Sequence, residues 1–198
     1  MTDPLLSVRD LHVTFPVRHG DLKALDGISF DVARGEILGI VGESGAGKSM
    51  MGAAIIGLID PPGRISGGEI RLSGERIDLA PETVRGNRIG MIFQDPLTSL
   101  NPLQTIGNQL IETILAHQPM NNKEARQRAA KGLEEVDIDP TRLNAYPHEF
   151  SGGMRQRVVI ALALAAEPEL VIADEPTTAL DVSVQAQVLD LLRRICKE

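Results

Sequence analysis

Cysteine occurs once, as Cys196, so no disulfide can close within the chain. That usage suits a reducing compartment. Long apolar runs are also missing. The longest, Val158 to Ala166, falls well short of the about 20 residues that a spanning helix needs, so any work at a membrane would need another chain to supply the span. Met1 to Leu11 lack a basic stretch followed by an apolar one and do not read as a secretory signal. Positive charge is in deficit, with 20 Lys and Arg against 27 Asp and Glu and a net charge of −7. This argues against a general nucleic-acid binder with a basic face, while a local basic patch stays open. Short repeats and low-complexity tracts are absent too. What remains is a chain of 198 residues, 42% of them apolar, enough for one domain that buries roughly 70% of its unfolded surface.

The pattern along the chain alternates between strand and helix signals. Leu5 to Phe15 and Leu25 to Val32 mix apolar and polar residues in partial alternation and predict two strands of an antiparallel layer. Glu36 to Val41 is an apolar run ending at Gly42 and predicts a buried strand of a parallel sheet. Lys48 to Leu58 predicts a helix stopped by Asp60-Pro61-Pro62-Gly63. Glu69 to Leu72 and Ile89 to Phe93 read as strands, and Gln94 to Leu103 as turn-rich chain. Thr105 to His117, Lys123 to Val136 and a stretch from Ser151 to about Glu167 read as helices. Leu170 to Ala173 reads as another buried strand, and Val184, Val188, Leu191, Leu192 and Ile195 mark a final amphipathic helix. Buried strands leading into helices imply an α/β sheet covered on both faces, with residues 94–157 as a helical insert standing apart from a core of 1–93 and 158–198.

Gly42-Glu43-Ser44-Gly45-Ala46-Gly47-Lys48-Ser49 matches G-x-x-x-x-G-K-[ST]. Glycines let the backbone curl so that consecutive N–H groups face phosphate oxygens. A helix starting near Lys48 adds the positive end of its dipole. Lys48 would reach the β- and γ-phosphates and the Ser49 hydroxyl would ligand Mg²⁺, with Met50 following at the edge of the nucleotide site. The other reading is a glycine-rich turn between strand and helix with no ligand. Further on, the apolar Leu170 to Ala173 ends in Asp174-Glu175, and strand ends of open α/β sheets are where ligands sit. Asp174 would hold Mg²⁺, through water given that ion's reluctance to dehydrate. Glu175 would position or deprotonate an attacking water. Taken alone, the pair is equally a solvated acidic turn before Pro176.

Phe150-Ser151-Gly152-Gly153-Met154-Arg155-Gln156 resembles the signature motif of the ABC ATPases, usually Leu-Ser-Gly-Gly-Gln. Ser151, Gly152 and Gly153 at a helix start make a second anion-binding end, or Ser151 simply caps the helix. A guanine-specific Asn-Lys-x-Asp motif is not met, since Asn122-Lys123-Glu124-Ala125 lacks the final Asp. Gln94, just after the strand Ile89–Phe93, resembles the family's Q-loop glutamine, which reaches Mg²⁺ and the attacking water; otherwise it is an ordinary loop residue. Thr178-Ala179-Leu180-Asp181 resembles the D-loop, where Asp181 would contact a partner subunit or cap a helix. Phe15 stands where the family keeps an aromatic that stacks on adenine, or is a core phenylalanine. Met154 and Phe150 depart from the usual Gln and Leu, which puts one side-chain contact in doubt.

The resemblance covers essentially the whole chain. It implies a P-loop NTPase core with a RecA-like parallel sheet and helices on both faces, an antiparallel β layer and an inserted helical subdomain. It implies one ATPase domain over 1–198, truncated at its C-terminus. The family's switch histidine is expected roughly 30 residues after the acidic pair, and His12, His19, His117 and His148 read instead as surface or loop residues. The wording from Phe93 to Pro102, from Tyr146 to Arg157 and from Ala173 to Asp181 looks like the dipeptide and oligopeptide importer subunits, and nickel and glutathione importers share much of it. The resemblance therefore implies an ATP-hydrolysing, Mg²⁺-dependent subunit on the cytoplasmic face of the inner membrane. Its partners would be a second ATPase subunit, identical or not, two transmembrane permease subunits and, indirectly, an extracytoplasmic substrate-binding protein. A fragment that binds nucleotide without turnover, or a soluble ABC protein of DNA repair or translation, are the rival readings. One phosphate loop, one cysteine and no heptad run speak against the last.

Overall fold

The computed structural model describes residues 3–43, 45–178 and 180–196. The chain divides between Arg85 and Gly86 into two compact units.

In the first unit β1 (Leu6–Val17) is the spine of a four-stranded antiparallel sheet. It pairs on one edge with β2 (Gly20–Val32) and on the other with β3 (Arg64–Leu72), which carries the two-residue β4 (Glu75–Arg76). Leu6 and Val8 are buried, and so are Leu11 and Val13. The two sets are out of step by one residue. The ladder shifts register between Val8 and Leu11 on the β2 side and between Arg9 and His12 on the β3 side, with Asp10 at φ 48°. An irregularity there resets the alternation so that both apolar pairs face the core. The β3 strand starts at Arg64, earlier than the expected Glu69, because Ser66-Gly67-Gly68 reads as a loop yet stays in the ladder opposite that irregularity. His12 lies half-buried within β1, bonded to Asp10 and Asp26, rather than in a loop.

Helix α1 (Lys48–Ile55) is shorter than the sequence suggests. Gly57, at φ 66°, ends it: Gly57 N–H donates to the Ala54 carbonyl and Leu58 N–H to the Ala53 carbonyl. These two bonds satisfy carbonyls left open at a helix end, and the left-handed turn favours glycine. The stop is therefore in place before the prolines are reached.

The expectation of a buried parallel strand over Glu36–Val41 is corrected. The segment forms no ladder among the described residues, and Ile37, Leu38, Ile40 and Val41 are 59%, 40%, 46% and 93% exposed. A short apolar run reports hydrophobicity, not a partner, and a strand exists only through the ladder it joins.

In the second unit β5 (Ile89–Ile92) and β6 (Leu170–Ala173) pair in parallel, Ile89 beside Leu170 and Ile92 beside Ala173. Leu170, Val171 and Ile172 are half-buried and Ala173 is exposed, so β6 is not the fully buried strand that its apolar run suggests. The stretch expected to be turn-rich contains one helical turn, α2 (Pro96–Ser99). Helices α3 (Ile106–His117), α4 (Asn122–Glu135), α5 (Gly152–Leu164) and α6 (Val182–Ile195) follow the predicted order. Their starts are legible: Thr105 accepts from Asn108 N–H, and Asn121 forms a capping box with Glu124. Ile106, Leu110 and Ile114 of α3, Ala125, Ala129 and Leu133 of α4, and Val188 and Leu191 of α6 repeat at helical spacing and join α5 in one buried cluster.

Candidate functional site

In the first unit the phosphate-loop residues lead directly into α1. Gly47 occupies the N-cap at φ 85°, a left-handed conformation, and no side chain caps the helix. With glycine at the N-cap no capping side chain occupies the start of α1, and a helix start of this kind suits an anion. Gly45 is also left-handed at φ 81°, and Ala46 N–H donates to the Glu43 carbonyl. The Lys48 ammonium reaches back over the loop, donating to the carbonyls of Gly42 at 2.9 Å and Glu43 at 3.0 Å. Ser49 and Met50 lie in the first turn of α1. Phe15 lies half-buried in β1, its ring edge against Gly63. Ser44, a predicted contact residue, lies outside the described residues, as does Ala179 of the D-loop stretch.

In the second unit the parallel register decides the site. Because Ile92 sits beside Ala173, the residues just beyond the two strand ends come together. Asp174 N–H continues the ladder to the Ile92 carbonyl at 2.9 Å. One residue on, Gln94 Nε2 donates to Glu175 Oε2 at 3.0 Å. Glu175 itself has φ 46°, a left-handed conformation uncommon for a residue with a Cβ, and backbone strain of this kind concentrates at functional sites. The Thr178 hydroxyl donates to the same Glu175 Oε2 at 3.1 Å.

Ser151 caps α5, its hydroxyl accepting from Met154 N–H at 3.4 Å, a long bond. A cleft of about 320 Å³ opens over this helix start, lined by Ser151, Gly152, Gly153, Asp137, Arg157 and Gln187 among others. Arg157 holds its rim: it donates to the Val136 carbonyl at 3.3 Å and to Gln187 Oε1 at 3.1 Å, and pairs with Asp137 at 3.5 Å. Asp181 stands at the N-cap position of α6 but makes no side-chain cap. Sequence reasoning missed the Thr178 hydroxyl and the Arg157 rim, since neither residue type nor spacing announces a contact made by tertiary folding.

The Ser49 hydroxyl of the first unit and the Asp174 carboxylate of the second are each a hard oxygen donor, of the type that suits Mg²⁺. Among the described residues no helix is long and apolar enough to cross a membrane.

Comparison with known proteins identifies the family. The ABC transporter family matches residues 25–178. The oligopeptide transport ATP-binding protein OppD of Bacillus subtilis is 51% identical over 203 residues, covering 98% of this chain and 56% of that protein. The dipeptide transport ATP-binding protein DppD of Escherichia coli is 51% identical over 194 residues, covering 95% and 59%. The chain thus spans less than two thirds of the length of these relatives. Among solved structures, the ATP-binding cassette MJ0796, determined as a dimer in a post-hydrolysis state with ADP and Pi, superposes with a TM-score of 0.83 at 28% identity, covering 97% of this chain and 83% of that one. CbiO1 from Clostridium perfringens, part of an ABC transporter complex, gives 0.81 at 28% identity, covering 99% and 75%. The expected α/β architecture of a P-loop ATPase is that of these cassettes, and the chain belongs to the ABC transporter family.

Proposed function

We propose that this chain binds ATP with Mg²⁺ and hydrolyses it to drive an importer of dipeptides or oligopeptides. One observation carries the reading: Gln94 and Glu175, at the ends of adjacent parallel strands, are hydrogen-bonded at 3.0 Å, which joins the Q-loop glutamine to the carboxylate proposed for hydrolysis. Gly42, Glu43, Ser44, Gly45, Ala46 and Gly47 wrap the phosphates with backbone amides. Lys48 offers its ammonium to the terminal phosphates, exchanging the Gly42 and Glu43 carbonyls for phosphate oxygens. Ser49, Asp174 and Gln94 would hold Mg²⁺. When bound, Mg²⁺ neutralises charge that builds on the transferred phosphoryl group. Glu175 accepts the proton of the water that attacks the γ-phosphorus. Phe15 stacks on adenine.

Ser151, Gly152 and Gly153 bind the γ-phosphate of a nucleotide held by a second ATPase subunit, so the working unit is a pair. Residues 94–157 act as a helical subdomain that carries the motion of the Gln94 loop to two permease subunits, with a binding protein outside the membrane delivering cargo. The chain works at the cytoplasmic face of the membrane. Peptide cargo is supported by the names of the relatives, OppD and DppD, and the nickel and glutathione importers remain the alternatives.

The test is a titration with labelled ATP and Mg²⁺ followed by steady-state hydrolysis, for the wild type and Glu175→Gln. Saturable binding in both, with turnover only in the wild type, is the expected result. Normal turnover in Glu175→Gln removes the role given to that carboxylate.

A further inference from the structure

The turn after β6 is held by more than its own backbone. Thr178 N–H donates to the Glu175 carbonyl at 3.2 Å, closing a turn across the left-handed Glu175. The Thr178 hydroxyl then donates to Glu175 Oε2 at 3.1 Å, on the same oxygen that Gln94 reaches at 3.0 Å. Among the described residues no hydrogen bond falls on Oε1. Two donors on one carboxylate oxygen restrain its position and leave Oε1 as the oxygen without a described donor.

The turn is clamped in turn from α6. Gln185 Nε2 donates to the Thr177 carbonyl at 3.1 Å and to the Leu180 carbonyl at 3.0 Å. One half-buried amide thus ties both sides of the segment that carries Thr178. Gln185 faces no reacting group itself; its two bonds go to backbone, and its effect on the carboxylate passes through Thr178.

We propose that Thr178, held by Gln185, is a positioning residue for Glu175: its hydroxyl and the Gln94 amide pin Oε2 so that Oε1 is the oxygen that takes the proton from the attacking water. This rests on the reading of Glu175 as the hydrolytic base. Its consequence is specific. Removing the hydroxyl lets the carboxylate rotate, which slows the chemical step and leaves ATP binding alone, because Thr178 is not among the residues that wrap the phosphates.

The experiment measures Mg·ATP hydrolysis and labelled-ATP affinity for the protein in its native assembly, with Thr178→Val, Thr178→Ser, Gln185→Leu and each threonine variant combined with Glu175→Gln. Thr178→Val keeps the side-chain shape and is expected to lower kcat about tenfold, below the roughly 10²–10⁴ that a general base itself contributes, with KM for ATP within about twofold. Thr178→Ser restores most of the rate. Gln185→Leu lowers kcat by less than Thr178→Val. In the Glu175→Gln background Thr178→Val costs nothing further, since residues acting as one unit are not additive. A Thr178→Val protein with unchanged kcat, one in which KM alone rises, a serine variant as slow as the valine one, or full additivity with Glu175→Gln each overturns the proposal. Should the valine variant not fold, the serine and Gln185→Leu variants decide it by the same split between kcat and KM. Loss of turnover in Glu175→Gln with normal turnover in Thr178→Val removes the positioning role and leaves the ATPase reading intact. A wild type without turnover, or a fully active Glu175→Gln, removes both.

Discussion

The Lys48 ammonium donates to the Gly42 carbonyl at 2.9 Å, so the cation at the start of α1 closes the loop that precedes it. With the second bond to Glu43 at 3.0 Å, Lys48 shapes the loop, and in the proposed function it also carries charge toward phosphate. The tasks are separable. Lys48→Ala loses both and is expected to raise the Kd for Mg·ATP at least about tenfold, the scale of one charge-assisted contact. Lys48→Arg keeps the charge but not the compact ammonium and is expected to bind nucleotide more weakly than the wild type and more tightly than the alanine variant. Equal affinities for all three, read by fluorescent-nucleotide titration, contradict this role.

In the proposed function Glu175 is the base. Glu175→Gln keeps the shape and can still accept from Gln94 through its amide oxygen, but it cannot take a proton. Its kcat is expected to fall by about 10²–10⁴ while nucleotide stays bound. Single-turnover measurement separates this from slow product release.

Gly153 lies where α5 meets α6. A Cβ there would stand 2.6 Å from Val184 Cγ1, and valine is too stiff to swing aside. Gly153→Ala is therefore expected to lower stability by about 1–2 kcal/mol through overpacking, although alanine is the better helix former. In a Val184→Ala background the same change is expected to be neutral or stabilising. Chemical denaturation of the four proteins checks the cycle.

Most of the second unit's helices were legible, because Ile106, Leu110 and Ile114, or Ala125, Ala129 and Leu133, show their period in the sequence, and Thr105 and Asn121 announce their starts. The antiparallel pair β1 and β2 was legible from partial alternation. What the sequence hid depends on partners. Ile37 to Val41 reads as a buried strand because burial and hydrophobicity coincide in short runs, yet no ladder forms. Gly57 is hidden as a stop because Pro61 and Pro62 beyond it are the stronger local signal. The candidate site residues were proposed from motifs and from position in the chain, but the contact of Gln94 with Glu175 and that of Thr178 with the same oxygen follow from strand register and turn shape, which no local pattern encodes.

In the first unit Asp78 is a buried carboxylate, 5% exposed, that accepts from Ile70 N–H at 3.0 Å and from Arg76 at 2.8 Å. Burial pushes its pKa up, but the Arg76 guanidinium and the Ile70 amide outweigh this and hold it below the ordinary value of 3.8. A carboxyl depressed in the folded state stabilises above the unfolded value and loses that contribution as pH falls through the folded one. Asp78→Ala is expected to cost about 2 kcal/mol at pH 6 to 7 by leaving the Ile70 amide without its acceptor and removing the pair with Arg76. The gap between variant and wild type should narrow below about pH 4. Thermal melts across that range read it.

The parallel pairing of β5 with β6 works as a ruler. Gln94 and Glu175 are 81 positions apart in the chain, and the intervening excursion never enters the two-strand ladder that aligns them. Loops between the helices of that excursion can therefore lengthen or shorten without changing which residues emerge side by side. A slip of a single residue in either strand displaces one of the two by about 3.3 Å and turns its side chain to the opposite face. Tolerance to insertion should accordingly be generous in the loops between those helices and nil within Ile89–Ile92 and Leu170–Ala173.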